Sequence, residues 1–279
     1  QFSLAGAQPK TALLWDGSRW GVPAGRIPTT HILKPPGADL DGYLYNEHFC
    51  LTLARRVGLA AARSEIARFG EEFAVVIERY DRIRSGTGWV RVHQEDACQT
   101  LGVHPQRKYE NEGGPGVAAI VRLIGEVSSR PEDDAAAFVD AVAFNWLIGG
   151  TDAHAKNYSL LIGRAGEVRL APLYDLASAL PYPHLDTHRL KLAMKVDAEY
   201  RLRRVGRAEW SAVADRLAGR QEQLIERLVQ LADRVVSSAG DVRDQMEADG
   251  LQHPIVTLLA EEIRTHAALC RRRLESPAT

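Results

Sequence analysis

The chain has 279 residues, enough for one two-lobed unit or two small domains, and its 45% hydrophobic and 25% charged residues are typical of a folded globular protein. Lys and Arg total 35 against 36 Asp and Glu, so the net charge of −1 excludes binding to nucleic acid or membranes by bulk charge and leaves only a local basic patch open. No apolar run reaches the roughly 18 residues of a membrane helix, and three widely spaced cysteines argue against a disulfide scaffold or a cysteine-based zinc site.

The first third of the sequence predicts short strands with one helix between them. Asp16-Gly17 separates two extended segments and is typical of a β-hairpin turn. Residues 73–80 (FAVVIERY) are apolar and β-branched enough for a buried strand. In chain order the predicted elements are a hairpin of residues 11–15 and 18–23, a strand at 31–34 before Pro35-Pro36, a helix at 45–57 and the strand at 73–80.

Beyond residue 93 the apolar residues follow a helical period. The predicted helices are 116–124, 135–148, a helix carrying Leu217, Leu224, Leu228, Leu231 and Val235, and 256–274. We expect one interruption, a hairpin of residues 159–162 and 168–171. The sequence therefore predicts an α+β protein of two lobes, a strand-rich lobe over residues 1–93 and a mostly helical lobe over residues 94–279.

The chemistry is concentrated in residues 149–157 (GGTDAHAKN), where Asp152 precedes Asn157 by five positions, and in Asp175 beyond the second hairpin. In protein kinases an Asp-x-x-x-x-Asn loop, followed across a hairpin by another Asp, supplies the catalytic base and the ligands of Mg²⁺. The spacing and the context both match this pattern. The alternative is that Asp152 and Asn157 only form turns, as Asp and Asn often do.

Weaker signals lie upstream of this loop. Lys34 ends a predicted strand and could neutralise phosphates, with Glu47 on the next helix as its partner; the alternative is an exposed strand-edge charge. The segment 78–81 ends the most apolar strand, as a kinase hinge would. Residues 5–10 (AGAQPK) form a small-residue loop that matches neither the Walker A nor the G-x-G-x-x-G pattern.

Eight segments, in order, resemble the HipA family, the serine/threonine kinase toxins of bacterial type II toxin–antitoxin systems. The residues after Arg201 match this family only in general character. The segments are 3–14 (SLAGAQPKTALL), 28–34 (PTTHILK), 46–50 (NEHFC), 77–82 (IERYDR), 94–99 (QEDACQ), 108–116 (KYE with GGPG), 151–157 (TDAHAKN) and 172–178 (PLYDLAS).

The resemblance implies a protein-kinase-like fold that uses ATP and Mg²⁺. It assigns Asp152 as catalytic base, Asn157 and Asp175 as metal ligands, and Ser3 as the site of an inactivating autophosphorylation. A phosphate on Ser3 would add about −1.5 to −2 charges beside a loop that must hold the phosphates of ATP; alternatively, Ser3 is an exposed terminal residue. The nucleotide-binding residues implied are Ala5, Gly6, Ala7, Gln8, Pro9, Lys10, Lys34, Glu78, Arg79, Tyr80, Asp81, His154, Ala155, Lys156, Asn157 and Asp175.

The same resemblance implies partners. These are a HipB-like antitoxin that makes the DNA contacts, and a protein substrate in translation, with an aminoacyl-tRNA synthetase as the expected target. Growth inhibition and bacterial persistence would follow from that phosphorylation. HipA proteins carry a further N-terminal subdomain, so we expect it upstream of Gln1 or on a separate chain. Several members have Glu where this chain has Pro9, which removes one N–H from the loop. We expect a cytoplasmic location and no membrane contact.

Two alternatives stay open at this stage. A small-molecule phosphotransferase of similar fold would use the same three residues with another acceptor. A non-catalytic antitoxin or DNA-complex regulatory module would instead use the basic clusters at residues 201–204 and 271–273. Autophosphorylation with ATP and Mg²⁺ separates an enzyme from a binding module.

Overall fold

A five-stranded antiparallel sheet and one helix form the N-terminal part of the protein. The computed structural model describes residues 9–23, 28–37, 41–86, 88–216 and 221–276. Its elements are β1 Thr11–Trp15, β2 Trp20–Gly21, β3 His31–Lys34, α1 Tyr43–Arg56, β4 Ser64–Phe69 and β5 Glu72–Glu78. The strand order in this sheet is β2-β1-β3-β5-β4, and helix α1 follows β3 in the chain.

The centre of this sheet is apolar because β3 and β5 lie between other strands. Val75 and Val76 of β5 are at most 1% exposed, and Val75 stands opposite Lys34 of β3. Helix α1 contributes Phe49 and Leu53 to the same core, and both are fully buried. This packing fixes the ends of β3 and β5, from which Lys34 and the predicted hinge extend.

The rest of the chain is mostly helical, with three small antiparallel sheets. Its elements are β6 Arg82–Ser85, β7 Gly88–Arg91, β8 His93–Asp96, α2 Ala97–Thr100, α3 Val117–Val127, α4 Pro131–Ile148, β9 Ser159–Ile162, β10 Val168–Leu170, β11 Lys191–Val196, β12 Glu199–Arg201, α5 Arg207–Arg216, α6 Gln221–Ala248 and α7 Pro254–Glu275. Strands β6 and β7 form a hairpin, β8, β9 and β10 form a three-stranded sheet, and β11 pairs with β12.

Helix α4 is the central element of the helical part. Pro131 and three acidic residues occupy its first turn, where a missing N–H and negative charge are both favourable. Its second half is buried on all sides, with Phe144 and Trp146 fully covered. The helix ends at Gly149, whose φ of 67° favours glycine and whose missing Cβ avoids a collision with Leu180. The position of Gly149 therefore fixes where the helix ends and the segment 149–157 begins.

The structure confirms most predicted elements and corrects one. The strand at His31–Lys34, the hairpin of β1 and β2, the hairpin of β9 and β10 and the predicted helices are all present; Leu217 lies outside the described residues. The expectation of a single interruption in the helical part is wrong, because β11 and β12 form a second hairpin around Asp197, whose φ is 53°. In the described part of the chain, no helix is both long and apolar enough to cross a bilayer.

The side chain of Asn46 joins the two parts of the protein. Its Nδ2 donates to the Ser178 carbonyl and its Oδ1 accepts from the Ser178 N–H, both at 2.8 Å. Nearby, the Leu173 carbonyl accepts from Ala62 N–H and the Leu173 N–H donates to Ala60, both also at 2.8 Å. These contacts attach the segment that contains Asp175 to α1 and to the chain that follows it.

Replacing Asn46 with alanine should lower the free energy of unfolding by about 2–4 kcal/mol, because the buried N–H and C=O of Ser178 lose their partner. Urea unfolding measures this loss. Asn111→Ala, at an exposed position, is the control and should change stability by less than about 0.5 kcal/mol. Equal stability of the two variants would contradict the structural role of Asn46.

Candidate functional site

The loop after α4 presents Asp152 to solvent and then returns into the protein. His154 N–H donates to the Asp152 carbonyl at 2.8 Å, and Asn157 N–H donates to the His154 carbonyl at 2.9 Å. A single 3₁₀ turn over Ala155–Asn157 brings Asn157 to a position only 6% exposed. The five-residue spacing thus separates an accessible carboxylate from a buried amide.

Asp175 lies beside Asn157, in an unusual backbone conformation. Its φ of 58° is in the left-handed region, which is uncommon for a residue other than glycine and often marks a functional position. Oδ2 of Asp175 accepts from Asn157 Nδ2 at 3.4 Å, and Oδ1 accepts from Lys34 Nζ at 2.5 Å. One turn therefore brings a carboxylate to the amide and to the lysine at once.

Lys34 is buried between two carboxylates. Its Nζ donates to Glu47 Oε1 at 2.6 Å as well as to Asp175, and the Lys34 and Glu47 side chains are 6% and 0% exposed. Burial opposes the charged form, but the two carboxylates outweigh it and raise the pKa of Lys34. Burial also opposes the charged form of Asp175 and so tends to raise its pKa. The neighbouring Lys34 ammonium outweighs this effect, and the pKa of Asp175 is lowered. The sequence left open whether Glu47 pairs with Lys34, and the structure contains this pair.

Asn157 and Asp175 fit the requirements of a Mg²⁺ site. The Oδ1 of Asn157 is buried and has no hydrogen-bond partner in the described residues. Amide and carboxylate oxygens are ligands that Mg²⁺ accepts, and Mg²⁺ often binds through one or two such groups together with substrate phosphates. No group of three His, Cys, Asp or Glu side chains in the described ranges forms a metal site of its own. These residues thus suit a cation that arrives with a nucleotide.

Two further lysines of the predicted site have different surroundings. Partial burial and then the nearby Lys34 ammonium lower the pKa of Lys10, while the carboxylates of Asp175 and Glu47 oppose this shift. Lys10 therefore lies close to the buried charge cluster. Lys156 instead donates to Asp96 Oδ2 at 2.6 Å, so its ammonium is held by the carboxylate that caps α2.

The predicted hinge follows β5. Arg79 N–H donates to Thr30 at 2.9 Å, whereas no backbone hydrogen bond among the described residues uses the N–H or C=O of Tyr80. The carboxylate of Asp81 is enclosed by guanidinium groups, with Arg79 at 2.9 Å and Arg82 at 2.7 Å. Although burial opposes it, these arginines lower the pKa of Asp81. No described residue therefore occupies the backbone of Tyr80, while the Asp81 side chain is already engaged.

Part of the predicted site cannot be placed. Ser3, Ala5, Gly6, Ala7 and Gln8 lie outside the described residues, and of their loop the structure describes only Pro9 and Lys10. Their assigned roles stay predictions.

Sequence reasoning missed Tyr109. Its hydroxyl donates to Asp152 Oδ1 at 2.6 Å, across 43 positions of sequence. The only signal was its place in the KYE segment, to which no role could be given, because nothing local indicates a contact so distant in the chain.

A family model identifies the chain. Residues 2–239 match the family described as HipA-like C-terminal domain. The chain belongs to this family. The resemblance read from the eight sequence segments is therefore confirmed.

Curated relatives are named as kinases. "Putative kinase Y4mE" of Sinorhizobium fredii is 36% identical over 272 residues, which cover 97% of this chain and 64% of that protein. "Serine/threonine-protein kinase toxin HipA" of Shewanella oneidensis is 30% identical over 279 residues, covering 93% of this chain and 63% of that protein. The chain thus spans less than two thirds of the length of these relatives.

Solved structures confirm the predicted α+β, kinase-like fold. A chain of the Shewanella oneidensis complex of HipA, HipB and operator DNA has a TM-score of 0.83 at 27% identity, covering 98% of this chain and 65% of that one. The Helicobacter pylori proinflammatory kinase CtkA has a TM-score of 0.68 at 13% identity, with coverage of 98% and 92%. The second likeness concerns the fold alone.

Replacing Lys34 with methionine should lower the free energy of unfolding at pH 7 by about 3–5 kcal/mol, because Glu47 is left buried without its cation. The double variant Lys34→Met/Glu47→Gln should recover most of this loss, since it removes the uncompensated charge. Urea unfolding measures both. Lys191→Met, at an exposed strand end, is the control. A single variant as stable as this control would show that the pair is not a structural requirement.

Proposed function

We propose that this chain is the catalytic region of an ATP- and Mg²⁺-dependent serine/threonine protein kinase. The observation that carries the proposal is the cluster of Lys34, Asn157 and Asp175, with the exposed carboxylate of Asp152 on the same loop as Asn157. Phosphoryl transfer needs a cation for the phosphates, ligands for Mg²⁺ and a base for the acceptor hydroxyl. The names of the relatives support the same activity.

Each residue has a distinct task in this proposal. Lys34, fixed by Glu47 and Asp175, would contact the nucleotide phosphates, and Lys10 would add positive charge beside it. Asn157 and Asp175 would hold Mg²⁺, which supplies further neutralisation of phosphate charge when bound. Asp152 would accept the proton of the acceptor hydroxyl.

The remaining nucleotide contacts are also part of the proposal. The backbone groups of Tyr80, which bind no backbone group of the described residues, would meet adenine beside Glu78 and Arg79. His154 and Ala155 would line the nucleotide from the catalytic loop. Because arginines enclose the Asp81 carboxylate, contact of this side chain with the ribose would require those ion pairs to rearrange.

We further propose the role of a growth-inhibiting toxin in the cytoplasm. Its target would be a component of translation such as an aminoacyl-tRNA synthetase, and autophosphorylation at Ser3 would limit its activity. The Shewanella complex of HipA, HipB and operator DNA supports a HipB-like antitoxin as partner, with DNA reached through it.

Asp152→Asn should reduce phosphoryl transfer at least about 100-fold, because a positioned base typically contributes that much or more. ATP affinity should stay close to that of the wild type, since the base acts in the transition state. Autophosphorylation with labelled ATP and calorimetric ATP binding measure the two effects. Asp244→Asn, on the exposed face of α6, is the matched control. Near-normal transfer by Asp152→Asn would refute the assignment of the base.

Asp175→Asn should weaken ATP binding by about tenfold or more in the presence of Mg²⁺, equivalent to about 1.4 kcal/mol. The reason is that the variant loses the anionic ligand of the metal. Calorimetry with and without Mg²⁺ measures the difference, because an effect on folding would reduce both affinities alike. An unchanged affinity in Mg²⁺ would contradict the metal role.

A further inference from the structure

The carboxylate of Asp152 has one hydrogen-bond partner among the described residues, the hydroxyl of Tyr109. The contact joins the Tyr109 oxygen to Oδ1 of Asp152 at 2.6 Å. Asp152 is otherwise exposed, and its Oδ2 accepts no hydrogen bond from the described part of the protein. Among the described residues, Tyr109 alone therefore restricts the rotation of this carboxylate.

Tyr109 is itself held firmly from several sides. Its ring meets the His154 ring edge to face, with centroids 5.1 Å apart, and the Lys108 ammonium lies 4.9 Å from its centroid. The carbonyl of Tyr109 accepts from Gly114 N–H at 2.9 Å, a close approach that excludes a Cβ at Gly114. The hydroxyl is therefore presented from a folded loop and not from a loose side chain.

The next residue, Glu110, anchors this loop to the hairpin of β11 and β12. Glu110 Oε2 accepts from the Lys195 N–H of β11 at 2.7 Å, and its Oε1 lies 3.6 Å from Lys195 Nζ. The KYE segment thus connects β11, which sequence reasoning missed, to the carboxylate of Asp152.

Tyr109 acts as the donor of this contact. Partial burial, and then the hydrogen bond to Asp152, raise the pKa of Tyr109, so its hydroxyl keeps its proton at neutral pH. A hydroxyl that donates to a carboxylate forms a short, charge-assisted bond. This bond occupies Oδ1 and fixes the rotation of the carboxylate, which leaves Oδ2 for a second hydroxyl.

We propose that Tyr109 is a positioning residue that orients the Asp152 carboxylate so that Oδ2 faces the hydroxyl of the phosphoryl acceptor. The inference rests on the kinase function proposed above. Its physical basis is that a catalytic group must be held close to its productive geometry, and small misplacements cost much of the rate.

Tyr109→Phe tests this proposal, because it removes only the hydroxyl and keeps the ring contacts with His154 and Lys108. We expect kcat for autophosphorylation and for ADP formation with Mg²⁺-ATP to fall about tenfold. The KM and the calorimetric Kd for ATP, and the melting temperature, should not change, since Asp152 is open to water. Tyr200→Phe is the matched control, because Tyr200 lies near Glu110 but does not contact Asp152.

A double-mutant cycle distinguishes positioning of Asp152 from a purely structural role of Tyr109, because it measures whether the effect of Tyr109→Phe on the rate depends on Asp152. In the Asp152→Asn background, Tyr109→Phe should cause no further loss of rate over long incubations, because no carboxylate remains to be oriented. A further tenfold loss there would overturn the proposal.

Other outcomes would also overturn it. An unchanged or increased kcat in Tyr109→Phe would show that the hydroxyl does not assist Asp152, while the kinase function would still stand on the wild-type activity. Phosphate found on Tyr109 by mass spectrometry would make this residue an acceptor instead of a positioning group. A wild-type protein that binds ATP but transfers no phosphate would overturn both the kinase function and this inference.

Discussion

The buried ammonium of Lys34 is the charge on which the rest of the site depends. It lies between Glu47, which is fully buried, and Asp175, whose side chain is 35% exposed. Taking such charges out of water costs several kcal/mol per ion unless they are paired with good geometry. The sheet, helix α1 and the segment after β10 each contribute one member of the cluster, so the charges are compensated only when all three elements are packed together.

This arrangement also explains why the remaining polar groups lie where they do. Asn157 donates to Oδ2 of Asp175, the oxygen that Lys34 does not contact, and the 3₁₀ turn that brings Asn157 there leaves Asp152 on the surface. Asp152 in turn is held by Tyr109 from the loop that β11 anchors. The buried side of the site contains the paired charges of Lys34, Glu47 and Asp175, whereas its exposed side carries the Asp152 carboxylate. Such a gradient suits a reaction in which phosphates bind deep and the acceptor approaches from solvent.

Local patterns in the sequence predicted much of this structure. The strand His31–Lys34 was predicted to the residue, and the Asp152–Asn157 spacing correctly placed both groups on one short loop. The contact of Lys34 with Asp175 spans 141 positions and was not predicted, because no local spacing reveals a contact so distant in the chain. The hairpin of β11 and β12 was missed because β12 has only three residues and its turn contains no glycine, relying instead on a positive φ at Asp197. The enclosure of Asp81 by two arginines was missed because charged neighbours in sequence do not show which of them will be buried together.

Helix α1 holds two anchors side by side, Asn46 on Ser178 and Glu47 on Lys34. Rotating this helix outward would break three buried hydrogen bonds at once, and each group left unpaired costs about 1–3 kcal/mol, more when charged. We therefore expect helix α1 to keep a fixed position in the folded protein and not to rotate. For the proposed kinase this means that the described part of the site is assembled as soon as the chain has folded. Regulation of this kinase activity would then act on the binding of the nucleotide or of the acceptor, and not on the position of helix α1.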